Sequence, residues 1–351
     1  MNNHPSSLSC PALSATDRER ITLAHGEGGR LMRRLLHERI FPAIGGVGLQ
    51  AGGDAAVLSQ LAGEVVFTTD SFVVSPLFFP GGDIGKLCVF GTVNDLAVTG
   101  ARPLWISLAL IIEEGLDLEI LDAVLQSIRM AASEAEVSVV TGDTKVVPRG
   151  AADGLFINTA GVGVLVSPRF VGPAGLQCGD ELLVTGPIGQ HGMAVMVARE
   201  QLELEPCPTS DCASLVPAVE ALRRSEVPVV ALRDATRGGV AAVLHEWAAS
   251  CDCTLAVEEE SIPVTPEVRG VCELLGLEPL CVANEGTMVV AVREGFGAAA
   301  AHALRSVPTA RHAALIGRAQ KKGLSPVLIQ RGLGRYLPLD EPAGAPLPRI
   351  C

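Results

Sequence analysis

The sequence predicts a mixed α/β (α+β) protein of two domains, and three observations carry that reading. Strand-length apolar runs alternate with amphipathic helical spacing, the alternation breaks at a Pro- and Gly-rich stretch, and it then restarts. A chain of 351 residues has room for two ordinary domains. Hydrophobic residues at 48% against 19% charged give a packed core, and only 3% aromatics means that Val, Leu, Ile and Ala build it.

Along the chain, residues 1–20 are rich in Ser, Pro and Asn and read as a flexible extension carrying Cys10. A helix is expected over 31–39, after His25-Gly26-Glu27-Gly28-Gly29. The β-rich run 65–69 ends at Asp70, and 104–112 reads as a buried strand. Over 118–135, Leu121, Val124, Leu125, Ile128 and Ala132 follow helical spacing. A strand over 137–140 ending at Thr141-Gly142-Asp143, and another over 157–166, complete a first domain of 21–166, bounded by the Pro/Gly-rich stretch 167–179. The second domain, 167–337, restarts with a strand over 181–185 and a helix near His191. The run 229–232 leads through Asp234-Ala235-Thr236-Arg237-Gly238-Gly239 into a helix to about 249, with further strands near 255–257 and 287–292. After Tyr336, Pro338, Pro342, Pro346 and Pro348 exclude helix. The tail 338–351 is therefore extended, able to span up to about 40 Å at roughly 3.1 Å per residue, and it ends in Cys351.

Composition excludes several functions. A net charge of −12 without clustered cations argues against nucleic acid. Every apolar stretch is far shorter than the roughly 20 residues a membrane span needs. Without a signal-peptide core, the ten cysteines are expected in reducing cytoplasm. Cys207/Cys212 and Cys251/Cys253 lack the spacing of a thiolate metal site and read as buried free thiols.

Four aspartates, Asp54, Asp70, Asp95 and Asp143, stand at or just beyond apolar strand signals. Singly, each is a turn or cap residue. Together, beside Gly or small residues, they suggest converging oxygen ligands for Mg²⁺ bridging nucleotide phosphates. The loop with Gly26, Gly28 and Gly29 either lets a phosphate approach the backbone or is a mobile arm. Lys145 and Glu285 are either solvated charges or tuned proton-transfer groups.

These segments resemble one family. Gly26-Glu27-Gly28-Gly29, Gly53-Asp54-Ala55-Ala56, Thr69-Asp70-Ser71-Phe72-Val73-Val74, Asn94-Asp95-Leu96-Ala97, Gly142-Asp143-Thr144-Lys145-Val146-Val147, the Asp234 to Gly239 segment and Asn284-Glu285-Gly286 are similar to the superfamily of aminoimidazole ribonucleotide synthetase and selenophosphate synthetase. The terminal Pro348-Arg349-Ile350-Cys351 resembles one member family, the HypE carbamoyl dehydratases of [NiFe]-hydrogenase maturation. The resemblance implies a two-domain PurM-like fold, and a homodimer whose N-terminal domains join their sheets. It implies that HypF carbamoylates Cys351, that ATP drives dehydration to a protein thiocyanate, and that a HypC-HypD complex takes the cyanide for the hydrogenase iron. It implies that Asp54, Asp70, Asp95 and Asp143 hold Mg²⁺ and ATP with Asn94, Gly142 and Thr144 beside them, and that Lys145 and Glu285 handle the protons. A selenophosphate synthetase would need a reactive Cys near a Lys in the N-terminal glycine loop, which has neither. A carrier that binds ATP without turnover gives the same sequence signals.

Overall fold

The structure is a computed structural model describing residues 20–27, 29–45, 55–166, 168–332, 334–342, 344, 347 and 349–351. Residues 1–19 of the expected extension, with Cys10, the candidate ligand Asp54, Gly28, and the tail prolines Pro346 and Pro348 lie outside the described residues.

The first half opens with a bent helical segment, α1 (Arg30–Leu35), a wider turn (Leu36–Ile40) and α2 (Phe41–Ile44). It continues through β1 (Val65–Phe72), a short hairpin of β2 (Phe78–Phe79) and β3 (Gly82–Asp83), α3 (Ile84–Val98), β4 (Ala101–Glu113), α4 (Leu118–Glu134), β5 (Ser138–Val147) and β6 (Leu155–Leu165). The main sheet has the order β1-β6-β4-β5, with β4 and β5 parallel and the other pairs antiparallel. Helices α3 and α4 cover one face and leave the other open.

Two elements differ from the sequence expectation, and both matter for the site. Asp95 does not end a strand; it lies in α3, a helix buried all round, with Leu87, Cys88, Phe90 and Val93 fully inaccessible. A helix apolar on every side has no amphipathic period to read, so its valines and leucines resemble a buried strand. Its start is fixed by Asp83, whose carboxylate accepts from the amides of Gly85 and Lys86. Nor does Asp143 end a strand, because β5 runs on through Gly142 to Val147. Gly142 is no turn signal here: a Cβ at that position would lie 2.3 Å from the Leu108 carbonyl oxygen, so glycine is what allows close pairing with β4.

The register sorts the candidate residues by face, since residues opposite each other across a sheet point to the same side. Asp70 pairs with Thr159, Thr159 with Leu108 and Leu108 with Gly142, the row against the helices. Ser71, Asn158, Ala109 and Asp143 form the next row, on the open face, and Lys145 shares that face two residues on.

The second half contains β7 (Glu181–Val184), α5 (Gln190–Arg199), α6 (Val216–Arg224), β8 (Val229–Asp234), α7 (Gly239–Ser250), β9 (Cys253–Glu258), α8 (Pro266–Leu275), β10 (Met288–Val292), α9 (Gly297–Arg305), β11 (Ala314–Lys321), β12 (Val327–Arg331) and β13 (Arg335–Pro338). Its sheet runs β13-β12-β9-β11-β7-β10-β8. Helix α7 packs on one face through Val240, Leu244 and Trp247, and α6 and α9 on the other through Leu222 and Leu304. Central strand β10 is buried at every residue, as expected for a strand covered on both faces. The remaining core joins α3, α4 and the first sheet to Met193 and Val195 of α5, and it takes in Leu347 and Ile350 of the tail. Among the described residues, no helix is long and apolar enough to cross a membrane.

Candidate active site

Where α3 and β1 meet the loops that leave β8 and precede β10, the fold leaves a cavity of about 650 Å³. Asp70, Asp95, Asp234, Arg237, Glu285 and Cys351 line it. Asp70 enters from β1, held by the amide of Ser71 at 2.7 Å. Asp95 enters from α3, where its carboxylate accepts from the Thr68 hydroxyl at 2.9 Å. Asp234 ends β8, and the turn after it carries Arg237.

The loop with Glu285 is built rigidly. Asp211 accepts from the amides of Glu285 and Gly286, both at 3.0 Å. A Cβ on Gly286 would meet the Asp211 carbonyl oxygen at 1.8 Å, so no other residue fits beneath this loop. Asn94 is a clip between the domains: its amide donates to the carbonyls of Ala213 and Glu285, and its oxygen accepts from the amide of Leu215. Backbone groups use the Asn94 amide and it is 1% exposed, so in this structure it stands behind the cavity and not in its lining.

Glu285 is 3% exposed, and its Oε1 has no hydrogen-bond partner. An uncompensated buried carboxyl is costly when charged, so it holds its proton. Burial first, then the charges of Asp234, Asp211, Asp70 and Asp95, push Glu285 well above the usual carboxylate range. Burial likewise raises Asp70 and Asp95, which Arg237 opposes, and pushes Asp234 up to about 6 with help from Asp95.

This shift has a measurable consequence. A carboxyl raised in the folded state stabilises the fold below its unfolded value of 3.8, and that contribution disappears as pH rises through about 6. The thermal midpoint of the ligand-free protein should therefore fall between pH 4 and pH 7. Asp234→Asn should flatten the fall by up to about 3 kcal/mol, checked by thermal melts of both proteins across that range.

The tail reaches this cavity. Leu347 and Ile350 are 4% and 3% exposed in the core, the Arg349 side chain pairs with Asp153, and Cys351 projects half-buried among the carboxylates. Arg349 adopts the left-handed conformation at φ 55°, which turns the last two residues inward. Burial pushes the docked Cys351 thiol far up, so it stays protonated there.

The other predicted residues stand apart. Asp143 and Lys145 form an exposed ion pair at 3.4 Å on the open face of β5. With Gly142 and Thr144, Asp143 lines a separate cleft of about 220 Å³ against α1 and α2, beside Ala55, the residue after Asp54. Thr144 is 4% exposed on the helix-covered face. The expected convergence of Asp143 and Lys145 with Asp70, Asp95 and Glu285 thus does not occur within one chain. The sheet lies between them, and β1 and β5 are its opposite edges. Among the described residues, no three His, Cys, Asp or Glu side chains come close enough to cage a metal ion. Asp211, Asp234 and Arg237 were not among the expected site residues. The sequence signal for the last two was the Asp-x-x-Arg-Gly-Gly segment after an apolar strand.

Comparison with known proteins agrees with this architecture. Residues 52–165 match the AIR synthase related protein N-terminal domain, and residues 177–329 match the corresponding C-terminal domain. The carbamoyl dehydratase HypE of Escherichia coli K12 is 48% identical over 338 residues, covering 94% of this chain and 99% of that protein. The crystal structure of a hydrogenase maturation protein HypE in complex with ATP superposes with a TM-score of 0.89 at 42% identity, covering 94% and 99% of the two chains. That of a HypE-HypF complex gives 0.77 at 41% identity, covering 90% and 100%. Built on two AIR-synthase-related domains, the chain belongs to the HypE carbamoyl dehydratases of hydrogenase maturation.

Proposed function

We propose that this protein uses ATP to dehydrate an S-carbamoyl group carried on its own Cys351, giving the thiocyanate that supplies cyanide to the iron of [NiFe]-hydrogenase. The observation that carries the reading is the docking of Cys351 beside the buried Glu285, whose Oε1 has no partner, in a carboxylate-lined cavity. Because the docked thiol is held protonated, it is a poor nucleophile, and carbamoyl transfer from HypF takes place with the tail outside. The relative solved with HypF supports such a visit, and a HypC-HypD complex is the proposed acceptor of the cyanide.

The reaction proceeds in two steps. The thiocarbamate oxygen attacks the γ-phosphoryl group of ATP, the nitrogen loses one proton, and ADP leaves. Loss of the second nitrogen proton then closes the C≡N bond as the C–O bond breaks and phosphate departs. Without phosphorylation the leaving group would be an oxide or hydroxide; for the phosphoryl transfer itself, positioning and charge stabilisation supply most of the acceleration. Arg237, lining the same cavity as Cys351, Asp70 and Asp95, is placed to hold the phosphate oxygens.

The oxygen-only set of Asp70, Asp95 and Asp234, whose carboxyls are raised by burial, Asp95 and Asp234 also by their aspartate neighbours, fits Mg²⁺. That ion takes one or two carboxylates plus phosphates and water and needs no protein cage. When bound, it would supply charge neutralisation on the nucleotide phosphates. With such charge beside it to offset the cost of burial, Glu285 would be a carboxylate able to take a nitrogen proton.

A homodimer accounts for Lys145. The open face exposes Val65, Phe67 and Ile111, at 57%, 66% and 37%, and β1 and β5 leave two unpaired edges among the described residues. A two-fold partner setting its β5 beside this β1 would close both edges and bring the strand that carries its own Asp143 and Lys145 next to the strand that carries Asp70.

The test is to incubate the protein with HypF, carbamoyl phosphate and ATP, isolate the carbamoylated chain, and weigh it before and after fresh ATP. Loss of one water only with ATP supports the reading. A carbamoyl adduct that persists with ATP sinks it in favour of a carrier.

A further inference from the structure

Besides the buried Leu347 and Ile350 side chains and the Arg349–Asp153 pair, contacts to main-chain carbonyls, not to the cysteine side chain, hold the tail inside. His191 of α5 is wholly buried, and its Nε2 lies 2.5 Å from the carbonyl oxygen of Ile350. A carbonyl only accepts, so Nε2 carries the hydrogen. The neutral ring then accepts at Nδ1 from the Ser210 hydroxyl at 2.9 Å, while that hydroxyl oxygen accepts from the Cys212 amide at 3.1 Å. The ring packs edge-on against Phe79, 5.2 Å between centroids. Burial lowers the affinity of His191 for a second proton, which keeps this tautomer in place. At the preceding residue, Nη2 of Arg199 donates to the carbonyl of Arg349 at 2.6 Å, and its Nε donates to the carbonyl of Ser75 at 2.8 Å. The Ser75 amide also donates to the Arg349 carbonyl, at 3.3 Å.

We infer that His191 and Arg199 are a latch for the tail, positioning residues that set how Cys351 divides its time between the cavity and its outside partners. This rests on reading Cys351 as the carbamoyl carrier. Because the latch grips carbonyls one and two residues before the cysteine, it holds free and carbamoylated tails alike. A tail that must both react inside and exchange its cargo outside then needs a latch of intermediate strength. Weakening it should act oppositely on the two halves of the cycle, an effect that general damage to the fold would not produce.

The experiment uses the full chain with three variants, His191→Phe, His191→Gln and Arg199→Met. Alkylation of Cys351 by iodoacetamide is read by intact mass against a Cys351→Ser background, and ATP-dependent water loss is read on protein already carbamoylated. His191→Phe should speed alkylation of Cys351 and slow water loss, each about tenfold, the size expected from one buried hydrogen bond. Carbamoylation by HypF should be unchanged or faster. His191→Gln, which returns an N–H donor at similar reach, should recover most of the loss. If His191→Phe unfolds, Arg199→Met, changed at a half-buried position, carries the test with the same paired signature. Wild-type rates of both alkylation and water loss in Arg199→Met and in a folded His191→Phe overturn the latch, as does a variant that slows both alkylation and water loss. If wild-type protein itself loses no water with ATP, the dehydratase reading fails, while the alkylation rates still decide the latch.

Discussion

Cys351→Ala should accept no carbamoyl group at all, while folding and binding ATP as the unaltered chain does. The expectation separates the roles of the tail. Leu347 and Ile350, not the thiol, supply its buried apolar surface, and the latch contacts lie on the carbonyls of Arg349 and Ile350. Removing one half-buried sulfur should therefore change stability by no more than about 0.5 kcal/mol. The adduct is measured by intact mass after incubation with HypF, carbamoyl phosphate and ATP, and ATP binding by titration. Any carbamoyl adduct on the variant would mean that another of the ten cysteines carries the group. The buried thiols Cys88 and Cys212, pushed upward by burial, are poor candidates for that.

The second large effect concerns two variants that should each be inactive alone and active together. Glu285→Gln removes the proton acceptor, and Lys145→Ala removes the cation expected from a second copy. Each should lower ATP-dependent water loss by about 10²–10⁴. If the site joins Glu285 and Cys351 of one chain to Lys145 of another, equal mixing after subunit exchange makes half of the dimers mixed. Each mixed dimer holds one intact site of two, so about one quarter of the wild-type activity should return. No recovery after proven exchange would place Lys145 in the same site as Glu285 of its own chain, or outside the chemistry. The register argues against the first alternative, since Lys145 and Asp70 lie on opposite faces of a sheet whose edge strands are three spacings apart, about 14 Å.

Much of the architecture was legible because the physical signals were local. The helix predicted over 118–135 is α4, whose apolar stripe faces α3, and the strand signals at 65–69, 104–112 and 287–292 lie within β1, β4 and β10 apart from Thr287, which just precedes β10. Helix α3 was not legible, since burial on all sides erases the period that marks a helix. The length of β5 was hidden by Gly142, which resembles a turn and in fact permits close strand contact. Among the site residues, the aspartates stood out by their small neighbours, yet spacing along the chain says nothing about which face of a sheet a residue occupies unless the register is known. His191 and Arg199 were hidden for another reason. They serve backbone carbonyls more than a hundred residues away, a role that leaves no local pattern.

The anchoring of Leu347 and Ile350 in the core has a kinetic meaning. The group to be dehydrated is covalently part of the catalyst, so its concentration at the cavity is an effective molarity set by the tether and not by what is added to solution. For that reactant there is no Michaelis constant and no saturation, and a loss of docking cannot be repaired by adding more of it. If the tail shuttles as proposed, each chain delivers one thiocyanate per excursion, and output scales with the number of chains and the frequency of their excursions.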